Sequence, residues 1–191
     1  MTGNVTEIIF LLDRSGSMAG LEDDTIGGFN AFVEKQRSLS GETRLTTILF
    51  DDRYEMIHDG VHANKASLTH ETYYVRGMTA LLDAVGRTIN TVKARCQEED
   101  QNVIFVITTD GMENASQEFS QRQIKEMITC QQAKHGWEFI FMGANIDSVQ
   151  EADNIGIRKD RARTFEASHA GVQSMYEELH EDIVDYRQGK I

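Results

Sequence analysis

Four short apolar runs punctuate this chain: EIIFLL at 7–12, RLTTILF at 44–50, NVIFVIT at 102–108 and WEFIFMG at 137–143. Each is rich in β-branched or aromatic residues and is bounded by polar or glycine-containing stretches, the pattern of strands buried on both faces. Between them, apolar positions recur at helical spacing. The segment 21–38 carries Ile26, Phe29, Phe32 and Val33, and 79–95 carries Leu81, Leu82, Val85, Ile89 and Val92 in a three-four stripe. Ser120 and Gln123 fit a capping box ahead of Ile124, Met127 and Ile128. A shorter helix is expected near Asp147, and a last one from Ser168 to Arg187 through Val172, Met175, Tyr176, Leu179, Ile183 and Tyr186. The stretch DDRYEMIHDG at 51–60 reads as a tight turn through Asp51 and Asp52 into a short antiparallel strand. Another short strand is expected near 161–165.

This alternation predicts an α/β fold: a doubly wound, mostly parallel, Rossmann-like sheet with one antiparallel edge strand and helices on both faces. With 191 residues, no repeat and no glycine- or serine-rich linker, the reading is a single domain over 1–191. In such sheets ligands bind outside the carboxyl ends of the strands, where strand order reverses.

Composition narrows the function classes. A hydrophobic fraction of 40% and a charged fraction of 26% are ordinary for a soluble globular protein. No apolar run approaches a membrane span, and no charged-then-apolar N-terminal segment reads as a signal peptide, so no membrane partner is expected. Cys96 and Cys130 lie far apart without a Cys-x-x-Cys pattern, which suits reduced thiols and a cytoplasmic location. A formal charge of −12 argues against a nucleic-acid partner. The local exception, RKDRAR at 158–163, reads as a solvated turn entering a strand.

The candidate chemistry gathers at strand ends. Asp13, Ser15 and Ser17 leave the first strand, and Asp110 leaves the third apolar run. If those strands are neighbours, the two carboxylates lie close together, which costs energy unless a cation sits between them. Hydroxyls at alternate positions of an extended loop point the same way, so Ser15 and Ser17 both face that cation. Thr79, after Gly77, sits where the amphipathic helix begins; a plain helix cap is its alternative role. The set Asp13, Ser15, Ser17, Thr79 and Asp110 is all oxygen, without His or Cys. It suits a hard cation, Mg²⁺ first, with Mn²⁺ or Ca²⁺ as substitutes, and zinc fits poorly. Two carboxylates balance a divalent ion and leave a coordination position for an Asp or Glu carboxylate from a partner protein. That is a docking device and not an enzyme.

These residues resemble a known family. DRSGS at 13–17 is similar to the Asp-x-Ser-x-Ser loop of von Willebrand factor A domains, which forms the metal-ion-dependent adhesion site. GMTAL at 77–81 resembles that family's threonine loop and TTDG at 108–111 its second aspartate loop, in the family's order. FMGANID at 141–147 is similar to a segment of bacterial members. The resemblance spans nearly the whole chain. It implies hydroxyl ligation by Ser15, Ser17 and Thr79, with Asp13 and Asp110 binding directly or through water. It also implies a last helix, here 168–187, able to shift when the site engages ligand. Without a signal peptide or disulfide pattern, the resemblance points to an intracellular, bacterial or phage-type member.

The alternative function is a Mg²⁺-dependent phosphatase of haloacid-dehalogenase type with Asp13 as nucleophile. That chemistry wants a second aspartate two positions on, where this chain has Ser15, and a downstream lysine without a clear candidate. Neither a G-x-x-x-x-G-K-[ST] loop nor a G-x-G-x-x-G turn is present. His58 and His62 are expected on one face of a strand without a third zinc ligand. Glu113 and Asp147 follow sheet-end loops and are secondary candidates for the rim of the site, weaker than the five ligands, while Met78, Met112 and Met142 are candidates for packing near it.

Overall fold

The computed structural model describes residues 5–96 and 101–190. Six strands form one sheet: β1 (Val5–Asp13), β2 (Glu42–Phe50), β3 (Tyr54–His62), β4 (Gln101–Thr109), β5 (Glu138–Ala144) and β6 (Ala162–Phe165). Five helices flank it: α1 (Glu22–Arg37), α2 (Leu81–Arg95), α3 (Gln121–His135), α4 (Ser148–Asn154) and α5 (His169–Arg187). Sheet order is β3-β2-β1-β4-β5-β6, and every pairing is parallel except β2 with β3. The expected architecture is therefore the observed one. The edge strand β3 is longer than the short strand anticipated, at nine residues.

Strand alternation sorts the core into two layers. Ile8, Phe10 and Leu12 pack with Phe29 and Phe32 of α1 and with Met175, Tyr176 and Leu179 of α5. Ile9 and Leu11 face the opposite way, toward Val85 and Ile89 of α2 and Ile124 and Ile128 of α3. Successive side chains of a strand must point to opposite faces, so a strand covered on both sides is apolar throughout. Phe10 is wedged edge-on against Phe29 and Phe32, with ring centroids 5.1 and 5.3 Å away.

The chain leaves β1 to form β2 on one side and later returns to form β4 on the other. The reversal of strand order falls between β1 and β4, where Leu12 pairs with Thr108. Asp13 and Asp110 thus emerge side by side. The predicted capping box of α3 is present, with Ser120 accepting from the Gln123 amide and Gln123 accepting from the Ser120 amide. Among the described residues, no helix is long and apolar enough to cross a membrane.

Candidate metal centre

Three loops meet at the switch point. The first, Asp13 to Met18, turns sharply because the Asp13 carboxylate accepts from the Ser15 amide at 2.7 Å. The turn places Ser15 Oγ 3.1 Å from Ser17 Oγ. The second runs from Arg76 to Ala80 and is sewn to the first by two backbone bonds: Arg76 N to Arg14 O, and Gly16 N to Gly77 O. Gly77 has φ +66°, and a Cβ there would lie 2.1 Å from Asp52 Oδ1, so this crossing demands glycine. The third loop follows β4 and carries Asp110.

The five candidate ligands come together. Ser17 Oγ donates to Asp110 Oδ1 at 2.5 Å. Thr79 Oγ1 and Ser17 Oγ both flank Gly111, at 3.0 and 3.6 Å from the point where a Cβ would stand. Asp13, Ser15 and Thr79 are buried, Asp110 is half-buried, and Ser17 is exposed. The pocket is therefore closed beneath and open to solvent on the Ser17–Asp110 side.

Burial is the main force raising the Asp13 carboxyl above its ordinary value, and the nearby charge of Asp110 adds to it. Hydrogen bonds from Ser15 and Thr109 oppose the shift. Burial also raises Asp110, against the hydrogen bond from Ser17. Two partly desolvated carboxylates beside three hydroxyls make an environment short of positive charge and rich in hard oxygen donors, which a divalent cation fits. Among the described residues no cluster of three or more His, Cys, Asp or Glu side chains is arranged to hold a metal, so any ion here relies on the hydroxyls.

Thr79 is not the cap of α2. The helix begins at Leu81, and its first amides are capped from the third loop: Leu82 N donates to Glu113 Oε2 and Asp83 N to Ser116 Oγ. The Thr79 amide donates to Asn114 Oδ1, while its carbonyl accepts from the Asn114 and Ala115 amides. The backbone of Thr79 is anchored by the loop after β4, leaving its hydroxyl for the pocket.

Several supporting residues were not anticipated. Thr109 Oγ1 donates to Asp13 Oδ2 at 2.6 Å, and Tyr73 OH donates to Asp13 O at 2.8 Å. Asp51 does more than turn the chain. It is fully buried, accepts from Arg53 N and Arg76 Nε, and its carbonyl accepts from Ala80 N. Arg14, also fully buried, lies 3.9 Å from Asp51 Oδ2 and 2.8 Å from Glu55 Oε2, with Tyr74 5.5 Å beneath its guanidinium. Buried charges need such partners. The arginine inside DRSGS and the first aspartate of DDR were the available signals.

Other expectations are corrected. Glu113 does not line the rim; it is consumed in capping, accepting from Leu82, Ala115 and Ser116. Asp147 caps α4 through the Gln150 amide. His58 is bonded to Thr47 Oγ1 and stacked on Phe29, whereas His62 accepts from Asn64 N; a register shift in β3 separates their settings. Met142 is buried in the core, but Met78 and Met112 are exposed instead of packed.

No sequence-family model matches the chain, and comparison with curated proteins gives no match. Solved structures do match in shape. One is proximal thread matrix protein 1 from the mussel byssus, in a form with a zinc-occupied MIDAS motif: TM-score 0.65, 17% identity, covering 94% of this chain and 46% of that one. Another is the pilus adhesin SpaC from Lactobacillus rhamnosus GG, in an open conformation: TM-score 0.75, 12% identity, covering 97% of this chain and 31% of that one. The fold is of the von Willebrand factor A type. The chain spans less than half the length of these structures. At such identities the likeness concerns the fold.

Proposed function

We propose that this domain binds a protein partner through a divalent metal ion, Mg²⁺ in the first instance, held by Asp13, Ser15, Ser17, Thr79 and Asp110. The observation that carries the reading is the convergence of these five oxygen-bearing side chains from three loops on one solvent-facing pocket. Bound there, the ion would supply a Lewis-acidic position for an Asp or Glu carboxylate of the partner. The chain's own part is to hold the donors: Thr109 and the Ser15 amide orient Asp13, Asn114 anchors Thr79, and Ser17 bridges toward Asp110. The named features of the two neighbours, a MIDAS motif and an adhesin, support this reading by analogy of fold. Because zinc occupies the mussel protein's motif, it belongs among the ions tested.

The phosphatase reading is disfavoured by Asp13 itself. Both of its carboxylate oxygens accept strong hydrogen bonds, from Ser15 N and Thr109 Oγ1, and a nucleophile so held is blunted. We accordingly propose a binding module without catalytic activity. We also propose a cytoplasmic setting, consistent with Cys96 and Cys130 both being free thiols.

The test is calorimetric titration of Mg²⁺, Mn²⁺, Ca²⁺ and Zn²⁺ into chelator-treated protein, followed by acetate and by p-nitrophenyl phosphate. Single-site Mg²⁺ binding that tightens with carboxylate supports the reading. Turnover of the phosphate ester abolished by Asp13→Asn would replace it with the phosphatase.

A further inference from the structure

Among the described residues, four large hydrophobic side chains are exposed: Tyr74, Met78, Met112 and Val149. All four stand in segments at the carboxyl edge of the sheet, the edge that carries the pocket. Tyr74 lies under the guanidinium of Arg14, next to Asp13, and Val149 opens α4 after β5. The two methionines are placed most pointedly. Met78 directly precedes Thr79, and Met112 directly follows Gly111, the residue against which Thr79 Oγ1 and Ser17 Oγ lie. They are 57% and 66% exposed, although methionine normally fills core gaps, as Met18, Met142 and Met175 do here.

We infer that Met78 and Met112 form an apolar rim around the metal pocket that selects partner segments whose docking carboxylate is flanked by apolar side chains. The inference rests on the metal-docking reading above and adds a partner preference to it. The occupant follows from the pairing of charges and surfaces at this edge. The pocket, once its two carboxylates are matched by a divalent ion, accepts one more anionic oxygen. The side chains beside that oxygen would then land on thioethers. A bare carboxylate such as acetate would use the ion and leave both methionines wet. A polar acidic stretch would also leave them wet, with no return for its desolvation. Aliphatic or aromatic neighbours would cover them, and flexible methionines adapt to several such shapes. Apolar contacts ringing a central polar anchor also exclude water from it, which strengthens the anchor.

The experiment follows the methionine methyl resonances of the isotope-labelled 191-residue chain in saturating Mg²⁺. Two capped peptides are titrated: Leu-Glu-Leu and Gly-Glu-Gly, each acetylated and amidated. The expected result is about tenfold tighter binding of the leucine-flanked peptide, with shifts at Met78 and Met112. In Met78→Ser/Met112→Ser, which changes two exposed positions, that ratio falls close to one. Its Mg²⁺ affinity and its affinity for the glycine-flanked peptide stay unchanged. Equal affinities in the wild type, or an unchanged ratio in the double variant, overturn the rim while leaving metal docking intact. Failure of the wild type to bind Mg²⁺ overturns both. Concentration-dependent dimerisation abolished by the double variant would assign the rim to self-association and overturn the partner reading.

Discussion

The Ser17 hydroxyl donates to Asp110 Oδ1 across 2.5 Å, joining two loops 93 positions apart in sequence. That bond links the loop after β1 to the loop after β4 on the solvent-facing side of the pocket.

Asp13→Asn tests the pocket most directly. Asparagine keeps an acceptor for the Ser15 amide, so the metal-free variant should lie within about 1–2 kcal/mol of the wild type. The wild type should gain about 2.7 kcal/mol at Mg²⁺ concentrations a hundredfold above Kd. Urea denaturation with Mg²⁺ and with chelator should show that gain in the wild type and none in the variant. A variant that keeps the full gain would remove Asp13 from the ligand set.

Thr79 separates metal holding from ligand capture. Its backbone is anchored by Asn114, so Thr79→Ala deletes a hydroxyl without releasing the loop. Carboxylate-peptide affinity should fall at least about tenfold, or about 1.4 kcal/mol. Mg²⁺ affinity should fall less, and Thr79→Ser should restore both. Equal losses in the two titrations would make Thr79 an ordinary ligand with no special part in capture.

Gly77→Ala should damage both stability and the site. The left-handed φ of +66° strains any other residue, and the new Cβ would strike Asp52. A loss of about 1–3 kcal/mol is expected from the backbone and the clash. Because Gly77 O accepts from Gly16 N, Mg²⁺ affinity should fall with it. Thermal melting alongside metal titration checks both, and a variant as stable as the wild type would contradict the described crossing.

His58 should make the protein acid-sensitive. Burial lowers its pKa below the ordinary 6.5, so the unfolded chain binds the proton more readily than the folded one. Its contribution is complete above pH 6.5 and is lost as pH falls from there through the lowered folded value. His180 is shifted in the same direction. His58→Gln should therefore reduce, and not abolish, the fall in unfolding free energy between pH 7.5 and 5.5. An unchanged slope would mean that His58 is protonated in the fold without cost.

Much of this protein is legible from one dimension. The apolar runs and helical stripes specified the doubly wound sheet, because burial on both faces leaves an uninterrupted hydrophobic signature in each central strand. The positions of Asp13, Ser15 and Ser17, with Thr79 and Asp110 at other strand and helix ends, foretold their meeting at one edge of the sheet, because strand ends converge at a topological switch point. What the chain could not display is the use of each remaining polar side chain. Glu113 and Asp147 looked like rim residues and became caps, since a helix's first amides take whichever acceptor folding brings near. Asp51 looked like a turn residue and became the buried partner of Arg76, because only the meeting of two distant loops gives its second oxygen a cation. Met78 and Met112 looked like packing and became exposed beside the pocket. Local pattern determines which elements form. Which polar atoms are satisfied, and which apolar ones stay in water, is decided only when loops far apart in sequence are brought together by the sheet.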